Sequence, residues 1–152
     1  SDVCSSDLGD VAVLLEHAGV EQGATPPGER LDSNSDRLSY RLSYRNLGTS
    51  ESLVVSQTVR VASDPYRAGV RVYQLRRTGT GPYTVTEQST IGSSDASRWI
   101  GAAAQDHQGN LAVGYNYVSE SKRPSLFYTG RSAGEPSRRP RSSRRGRPPA
   151  RR

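Results

Sequence analysis

The alternation of apolar and polar residues between residues 37 and 45 is the most regular pattern in the chain. The segment reads RLSYRLSYR, so every second side chain is Leu or Tyr and the others are Ser or Arg. Strict period-two alternation is typical of an antiparallel strand with one buried face. The pattern predicts a strand over residues 37–45 whose buried face is formed by Leu38, Tyr40, Leu42 and Tyr44.

Further segments of strand character follow, separated by turn residues such as Asn46-Leu47-Gly48, which tolerate the positive φ of tight turns. Residues 51–62 place Leu53, Val55, Val59 and Val61 on one face, with Gln57 interrupting it. The remaining predicted strands span residues 69–77, 83–91, 99–104, 111–118 and 125–130. In residues 83–91 the apolar face holds Tyr83, Val85 and Ile91, but also the polar Glu87 and Ser89.

The segment before these strands is less regular. Residues 10–17, DVAVLLEH, have the length and β-branched content of a strand, although a two-turn helix also fits them. Residues 19–36 are dense in Gly, Pro, Asp, Ser and Asn, which predicts a long surface loop. Short strands with turns between them and no long helical pattern predict an all-β fold, either a sandwich or a propeller.

The basic charge of the chain is concentrated at its C-terminal end. The whole chain has a formal net charge of +6, yet residues 131–152 include nine Arg and a single Glu, so residues 1–130 carry −2. A segment without large apolar residues cannot offset its ordering entropy, so we expect residues 132–152 to be disordered. Three interpretations remain: a nucleic-acid-binding arm, a solvated tail without a role, and GC-rich DNA read out of frame.

Residues 1–8, SDVCSSDL, resemble a translated sequencing adapter, because TCA GAC GTG TGC TCT TCC GAT CT encodes them. We therefore interpret them as a cloning or assembly scar, expect the natural N-terminus to be missing, and exclude Cys4 from the chemistry of the fold. The remaining chain lacks cysteine, which excludes disulfides and thiolate metal sites. No run approaches the ~20 apolar residues of a membrane span.

Residues 99–131 carry a second pattern, WIGAAAQDHQGNLAVGY followed by PSLFYTGR. It resembles a group of large bacterial secreted or surface proteins that form β-propellers of the sialidase-like, Asp-box type. Residues 37–48 and 69–75 share the resemblance, which extends over roughly residues 30–131. It implies four-stranded antiparallel blades. Residues 9–131 would then form about two blades of an incomplete β-propeller, with the strand at residues 10–17 belonging to a blade before them.

Within the resemblance, the turn Asp106-x-x-Gly109-Asn110 is similar to a degenerate Asp-box. The Asp106 carboxylate is expected to accept backbone N–H groups of its own turn, while Gly109 adopts positive φ. A Ca²⁺ site is the alternative, but Ca²⁺ takes six or more oxygen ligands and Asp106 is the only acidic residue of the turn.

The sequence shows no pattern that commits it to catalysis. His17 and His107 lack metal-ligand spacing, and no G-x-S-x-G motif occurs. A sialidase-type glycosidase needs an arginine cluster that binds a carboxylate, a Tyr–Glu nucleophile pair and an Asp acid/base. Residues of these types are present, but they alternate along strands, which favours a solvent-facing or packing role for them. We predict no catalytic, cofactor-binding or metal-binding residues and no cofactor; the residues of the right types are Arg41, Arg60, Arg71, Tyr73, Glu87 and Asp95.

Trp99 has two possible roles, either stacking a sugar or base or anchoring one blade on the next. Its place at the start of an apolar strand favours the core. The leading hypothesis is a segment of an extracellular or cell-surface bacterial scaffold or binding module, with carbohydrate or a cell-surface protein as partner. The alternative is part of a sialidase-like glycoside hydrolase. Nucleic-acid binding ranks third, because no aromatic residue is interleaved with the tail arginines.

Overall fold

The computed structural model describes residues 20–21, 30–63 and 66–135, and every regular element in these ranges is a β-strand. The predicted strand at residues 10–17, the segment at residues 1–8 and the tail beyond residue 135 lie outside the described residues. The strands are β1 (Val20–Glu21), β2 (Arg30–Leu31), β3 (Ser43–Asn46), β4 (Glu51–Ser63), β5 (Tyr66–Arg77), β6 (Thr84–Ile91), β7 (Ala96–Gln105), β8 (Leu111–Ser119) and β9 (Lys122–Arg131).

Strands β3 to β9 form two antiparallel sheets in sequence order, a first sheet β3-β4-β5-β6 and a second sheet β7-β8-β9, and β1 and β2 form a separate pair. This confirms the all-β prediction and the division of the strands into a group of four and a group of three. Neither sheet closes on itself within the described ranges. The loop predicted over residues 19–36 is partly wrong, because β1 and β2 pair there as a short antiparallel ladder.

The core lies between the two sheets, where β7 packs against β4 and β5. Each sheet turns small and branched apolar side chains toward the other, and Phe127 packs against their edge. Stacking of two apolar sheet faces is how a sheet removes its hydrophobic side from water. The buried cluster consists of Val54, Val70, Val72, Ile91, Ala103, Leu111, Val113 and Tyr115.

The backbone of β7 bonds directly to side chains of the first sheet. The Ser56 hydroxyl donates to the carbonyl of Gly101 at 2.8 Å, and the N–H of Ile100 donates to Thr58 Oγ1 at 3.0 Å. These groups are available because a register shift between Trp99 and Ala102 interrupts the ladder with β8, and Ile100 has φ of 50° there. The hydroxyls therefore satisfy backbone groups that the bulge leaves unpaired.

A second, smaller cluster lies at the other end of the stack. Trp99 packs with Ala68 and Val118, while Leu31 and Tyr66 contact the same cluster from its rim. Trp99 is only 4% exposed, so its side chain fills the junction between the sheets. This burial supports the core role proposed for it.

The prediction that residues 37–45 bury their apolar face is wrong. The strand β3 is shorter than predicted, Leu38 makes only an isolated bridge to Gln57, and Tyr44 pairs with Leu53 on the side of the first sheet that faces away from the second. An edge strand can alternate regularly and still direct its apolar side outward when no further layer covers it. The exposed fractions are 56% for Leu38, 87% for Tyr40, 53% for Leu42 and 50% for Tyr44.

The inward faces of β4 and β6 also differ from the sequence pattern. In β4 the side facing β7 carries Val54, Ser56 and Thr58. The face that the sequence predicted to be apolar, which begins with Leu53 and Val55, lies on the opposite side. In β6 a bulge at Thr86 separates the pairs Leu75–Val85 and Gln74–Glu87, so Val85 and Glu87 lie on opposite faces. The bulge therefore removes Val85 from the face that Glu87 shares with Ile91.

Candidate functional site

The turn between β7 and β8 is held by the carboxylate of Asp106, as the sequence predicts. Asp106 Oδ1 accepts the N–H groups of Gln108 and Asn110, both at 2.9 Å. Its Oδ2 accepts the Asn110 side-chain amide at 2.7 Å, and Gly109 has φ of 88°. The hydrogen bond that the Asn110 side-chain amide donates is the main reason why the pKa of Asp106 lies below its ordinary value. The carboxylate is thus used to close the hairpin.

We expect Asp106→Ala to lower the melting temperature by roughly 5 °C, because three hydrogen bonds of the hairpin lose their acceptor. Asp106→Asn, which keeps one amide oxygen, is the matched variant and should recover part of the loss. Thermal unfolding followed by circular dichroism measures both. Addition of Ca²⁺ to about 5 mM should leave the wild type unchanged; a rise absent from Asp106→Ala would instead establish a metal site.

A polar cleft opens beside this hairpin, between the ends of the two sheets. Its volume is about 370 Å³, and its walls come from β5, β6, the end of β9 and the segment after it. Arg131 Nη2 forms an ion pair with Glu87 Oε2 across the gap between the sheets. Arg131 Nη1 also donates to the backbone carbonyl of Glu135 at 3.3 Å. Arg76 and Gln74 complete the polar wall.

Two buried atoms of the cleft have no hydrogen-bond partner among the described residues: Arg76 Nε and Glu87 Oε1. One is a donor and the other an acceptor, and both side chains line the same cavity. A buried polar atom without a partner is costly, and native structures normally satisfy it with protein, water or ligand. The cleft wall thus combines the cationic side chains of Arg76 and Arg131 with the carboxylate of Glu87.

A third polar cluster lies on the outer side of the first sheet. Glu51 Oε2 accepts Arg77 Nε at 2.6 Å and the Tyr83 hydroxyl at 2.7 Å, while the Arg77 guanidinium lies 4.6 Å from the centre of the Tyr83 ring. The hydrogen bond from Arg77, followed by that from Tyr83, lowers the pKa of Glu51. The same bond to Glu51 raises the pKa of Tyr83, which keeps the phenol protonated and unsuited to nucleophilic attack.

The Glu51 cluster should make stability depend on pH in two windows. Glu51 contributes fully above its unfolded pKa of about 4.3, and its contribution is lost as pH falls through its lower folded pKa. Tyr83 contributes below its unfolded pKa of about 10 and loses its contribution as pH rises through the higher folded value. Urea unfolding midpoints measured from acid to alkaline pH test both losses of stability.

Two substitutions separate the loss of stability at acid pH from the loss at alkaline pH. We expect Tyr83→Phe, which keeps the ring beside Arg77, to remove the alkaline loss and to retain most of the acid loss. Glu51→Gln should reduce the loss of stability at both ends of the pH range. The substitution removes the carboxylate whose own pKa is lowered and which raises the pKa of Tyr83. Unchanged pH profiles in both variants would contradict this assignment.

The residues with sialidase-like side chains are not brought together. Tyr73 pairs with Gln88 and Gln74 pairs with Glu87, so Tyr73 and Glu87 lie on opposite faces of the first sheet. Arg71 shares the outer face and donates to Thr90 Oγ1 at 3.1 Å. Asp95 lies in the loop before β7, where a hydrogen bond from Ser93 is the largest cause of its lowered pKa. Arg41 and Arg60 are in neither the cleft nor the Glu51 cluster.

Glu87 was a candidate from its residue type alone, whereas Arg76 and Arg131, which line the same cleft, were not predicted. Arg76 and Arg131 are separated from Glu87 by 11 and 44 positions, and the bulge at Thr86 is what turns Glu87 inward. The signal in the sequence was the charged Glu87 on a strand face that also carries Tyr83, Val85 and Ile91.

Within the described ranges, no group of three or more His, Cys, Asp or Glu side chains is arranged to hold a metal ion. His107 is exposed in the Asp106 turn, and His17 lies outside the described residues. In the same part of the chain no helix has the length and hydropathy that crossing a bilayer requires.

Comparison of the chain with protein-family models, with curated proteins and with solved structures gives no match.

Proposed function

We propose that the chain is a two-blade segment of an extracellular bacterial β-propeller that acts as a scaffold or binding module. The observation that carries the proposal is the face-to-face stack of a four-stranded and a three-stranded antiparallel meander. Propellers are built from four-stranded antiparallel sheets, usually between four and eight of them. The exposed Tyr44 and Val85 on the outer side of the first sheet are what a blade presents when its neighbour is absent.

A tandem polypeptide tests the propeller. Joining three copies of residues 30–135 supplies six sheets, which is within the range that closes a propeller. We expect a monomer with one cooperative transition, a higher melting temperature than the single copy, and a radius of gyration of about 20 Å by X-ray scattering. An elongated particle that melts like the single copy would contradict the proposal.

The polar cleft supports a binding role with a defined ligand chemistry. The guanidinium of Arg76 suits a carboxylate, and the carboxylate of Glu87 suits a hydroxyl donor. A sugar acid combines both groups. Its size also matches the cleft, which lies at the small end of the 300–1,000 Å³ typical of ligand pockets.

Titration with glucuronate, using glucose as the neutral counterpart, tests the cleft. We expect glucuronate to bind with a Kd of roughly 1 mM, visible as shifts of backbone amide resonances, and glucose to bind at least tenfold more weakly. Arg76→Gln should abolish the difference, whereas Arg71→Gln, on the opposite face of β5, should retain it. Equal responses to the two sugars would rule out the carboxylate site.

The glycoside hydrolase remains the alternative. The Tyr83–Glu51 hydrogen bond favours it, since a Tyr–Glu pair is what that chemistry needs, while the raised pKa of Tyr83 opposes it. Release of fluorophore from a sialic-acid conjugate, lost in Tyr83→Phe, would favour the hydrolase over the scaffold.

A further inference from the structure

The side of the polar cleft that follows β9 is a turn formed by residues 132–135, which we call the wall turn. The N–H of Glu135 donates to the carbonyl of Ser132 at 3.3 Å, and Gly134 between them has φ of 80°. Gly134 and Glu135 line the cleft. All residues of the wall turn are exposed, so burial of apolar surface contributes little to holding it in place.

Hydrogen bonds to side chains fix the wall turn at its middle and at its end. Arg131 Nη1 donates to the carbonyl of Glu135 at 3.3 Å, which is a local bond because β9 ends at Arg131. Asn110 Oδ1 accepts the N–H of Ala133 at 2.8 Å and lies 23 positions away in the chain, in the β7–β8 hairpin. The bond from Ala133 to Asn110 therefore joins the cleft wall to a different part of the fold.

Asp106 sets the orientation of the Asn110 amide. Asp106 Oδ2 accepts the Asn110 Nδ2 group at 2.7 Å. An ionised carboxylate is only an acceptor, so the NH₂ end of the amide, and not its oxygen, must face Asp106. The amide oxygen is then directed to the N–H of Ala133, and the carboxylate that closes the hairpin also determines how the hairpin binds the wall turn.

The same hairpin approaches the cleft at Gly109. A methyl group on Gly109 would lie 3.4 Å from Ala133 Cβ and 3.8 Å from Arg76 Nη2. The hairpin thus lies against both the wall turn and the arginine to which we assign the ligand carboxylate. Residues 106–110 do not line the cleft themselves, so an influence on a ligand must pass through the groups that they contact.

We propose that Asn110 is a positioning residue of the polar cleft. Oriented by Asp106, its amide oxygen holds the wall turn where it closes the cleft around a sugar acid. The proposal rests on the binding role given above and gives the Asp106 turn a function in ligand affinity besides closing its own hairpin. A bound sugar acid should in turn stabilise the bond between Asn110 and Ala133, because coupling between two sites is reciprocal.

Titration of Asn110→Ala with glucuronate, followed through backbone amide resonances, tests the effect on affinity. We expect binding roughly fivefold weaker than in the wild type, the contribution of one internal hydrogen bond. Asn46→Ala is the matched control, because Asn46 Oδ1 also accepts a backbone N–H at 2.8 Å, that of Gly48, but outside the cleft. The control should keep the wild-type affinity. Equal affinities of the two variants would overturn the proposal.

Asp106→Ala tests whether the carboxylate acts through Asn110. This variant should also weaken glucuronate binding, although Asp106 does not line the cleft. The double variant with Asn110→Ala should bind no more weakly than the weaker single variant, since both substitutions remove the same bond to the wall turn. Losses of affinity that multiply in the double variant would contradict positioning through Asn110.

Exchange of backbone amides with water, measured by nuclear magnetic resonance, gives a readout that needs no ligand. The Ala133 amide should exchange at least about fivefold faster in Asn110→Ala than in the wild type, and at the wild-type rate in Asn46→Ala. Faster exchange in a chain that does not bind glucuronate would remove the sugar-acid assignment and still support the positioning of the wall turn. Unchanged exchange in Asn110→Ala would overturn the proposal whether or not glucuronate binds.

Discussion

Trp99→Ala is expected to lower the free energy of unfolding by about 4 kcal/mol, the largest effect of any single truncation in the described fold. Trp99 is 4% exposed and holds Ala68 and Val118 in the smaller cluster, so its removal leaves a cavity at the junction of the two sheets. Small domains have only about 5–15 kcal/mol of stability in total. A loss of this size lowers the melting temperature by roughly 20 °C.

Urea unfolding followed by far-ultraviolet circular dichroism measures the Trp99 effect, since the substitution removes the only tryptophan. Tyr128→Ala is the matched control, because it also truncates an aromatic side chain but one that is 59% exposed. We expect the control to change stability by less than about 1 kcal/mol. Equal losses in the two variants would argue against a structural anchor at Trp99.

Gly101→Ala is expected to cost about 3 kcal/mol although it adds a single methyl group. The new Cβ would lie 2.4 Å from Val70 Cγ1 and 3.1 Å from Ser56 Oγ, so β7 must move away from β4 and β5. That movement also weakens the hydrogen bond from the Ser56 hydroxyl to the Gly101 carbonyl. The effect is overpacking of the interface between the sheets.

Two further variants identify the cause of the Gly101 effect. Gly114→Ala is the control, because the nearest atom to its added Cβ is the Phe127 carbonyl oxygen at 3.9 Å. Gly101→Ala combined with Val70→Ala should be more stable than the sum of the single losses predicts, by about 1 kcal/mol or more, because the clashing methyl is gone. Additive losses in the double variant would place the strain elsewhere.

The sequence predicted the strands better than their faces. The strand predicted over residues 51–62 is observed as Glu51–Ser63, and the one predicted over residues 111–118 as Leu111–Ser119. The bounds agree because turn residues mark the ends of these strands. Period-two alternation states which side chains share a face but not which face meets another layer. In β4 the inward positions include Ser56 and Thr58, whose hydroxyls bond the backbone of β7, so polarity at these positions indicated a contact with β7 rather than with solvent.

The candidate site was also predictable only in part. The Asp106 turn was predictable, since its hydrogen bonds join residues at most four positions apart. The cleft was not, because the ion pair between Glu87 and Arg131 joins residues from different sheets. Local patterns define turns, whereas a site between sheets depends on register and on bulges that no short segment reveals.

The bulge in β6 has a consequence for how the length of the chain can vary. Thr86 is the extra residue between the pairs Leu75–Val85 and Gln74–Glu87. Deleting Thr86 alone would join these pairs into a regular ladder while Val85 still points outward and Glu87 inward. Deleting a neighbour such as Gln88 would reverse the facing of the residues on one side of it. One codon of this strand can therefore be lost without reassigning a single side chain, and natural relatives that differ there by one residue would keep the same core.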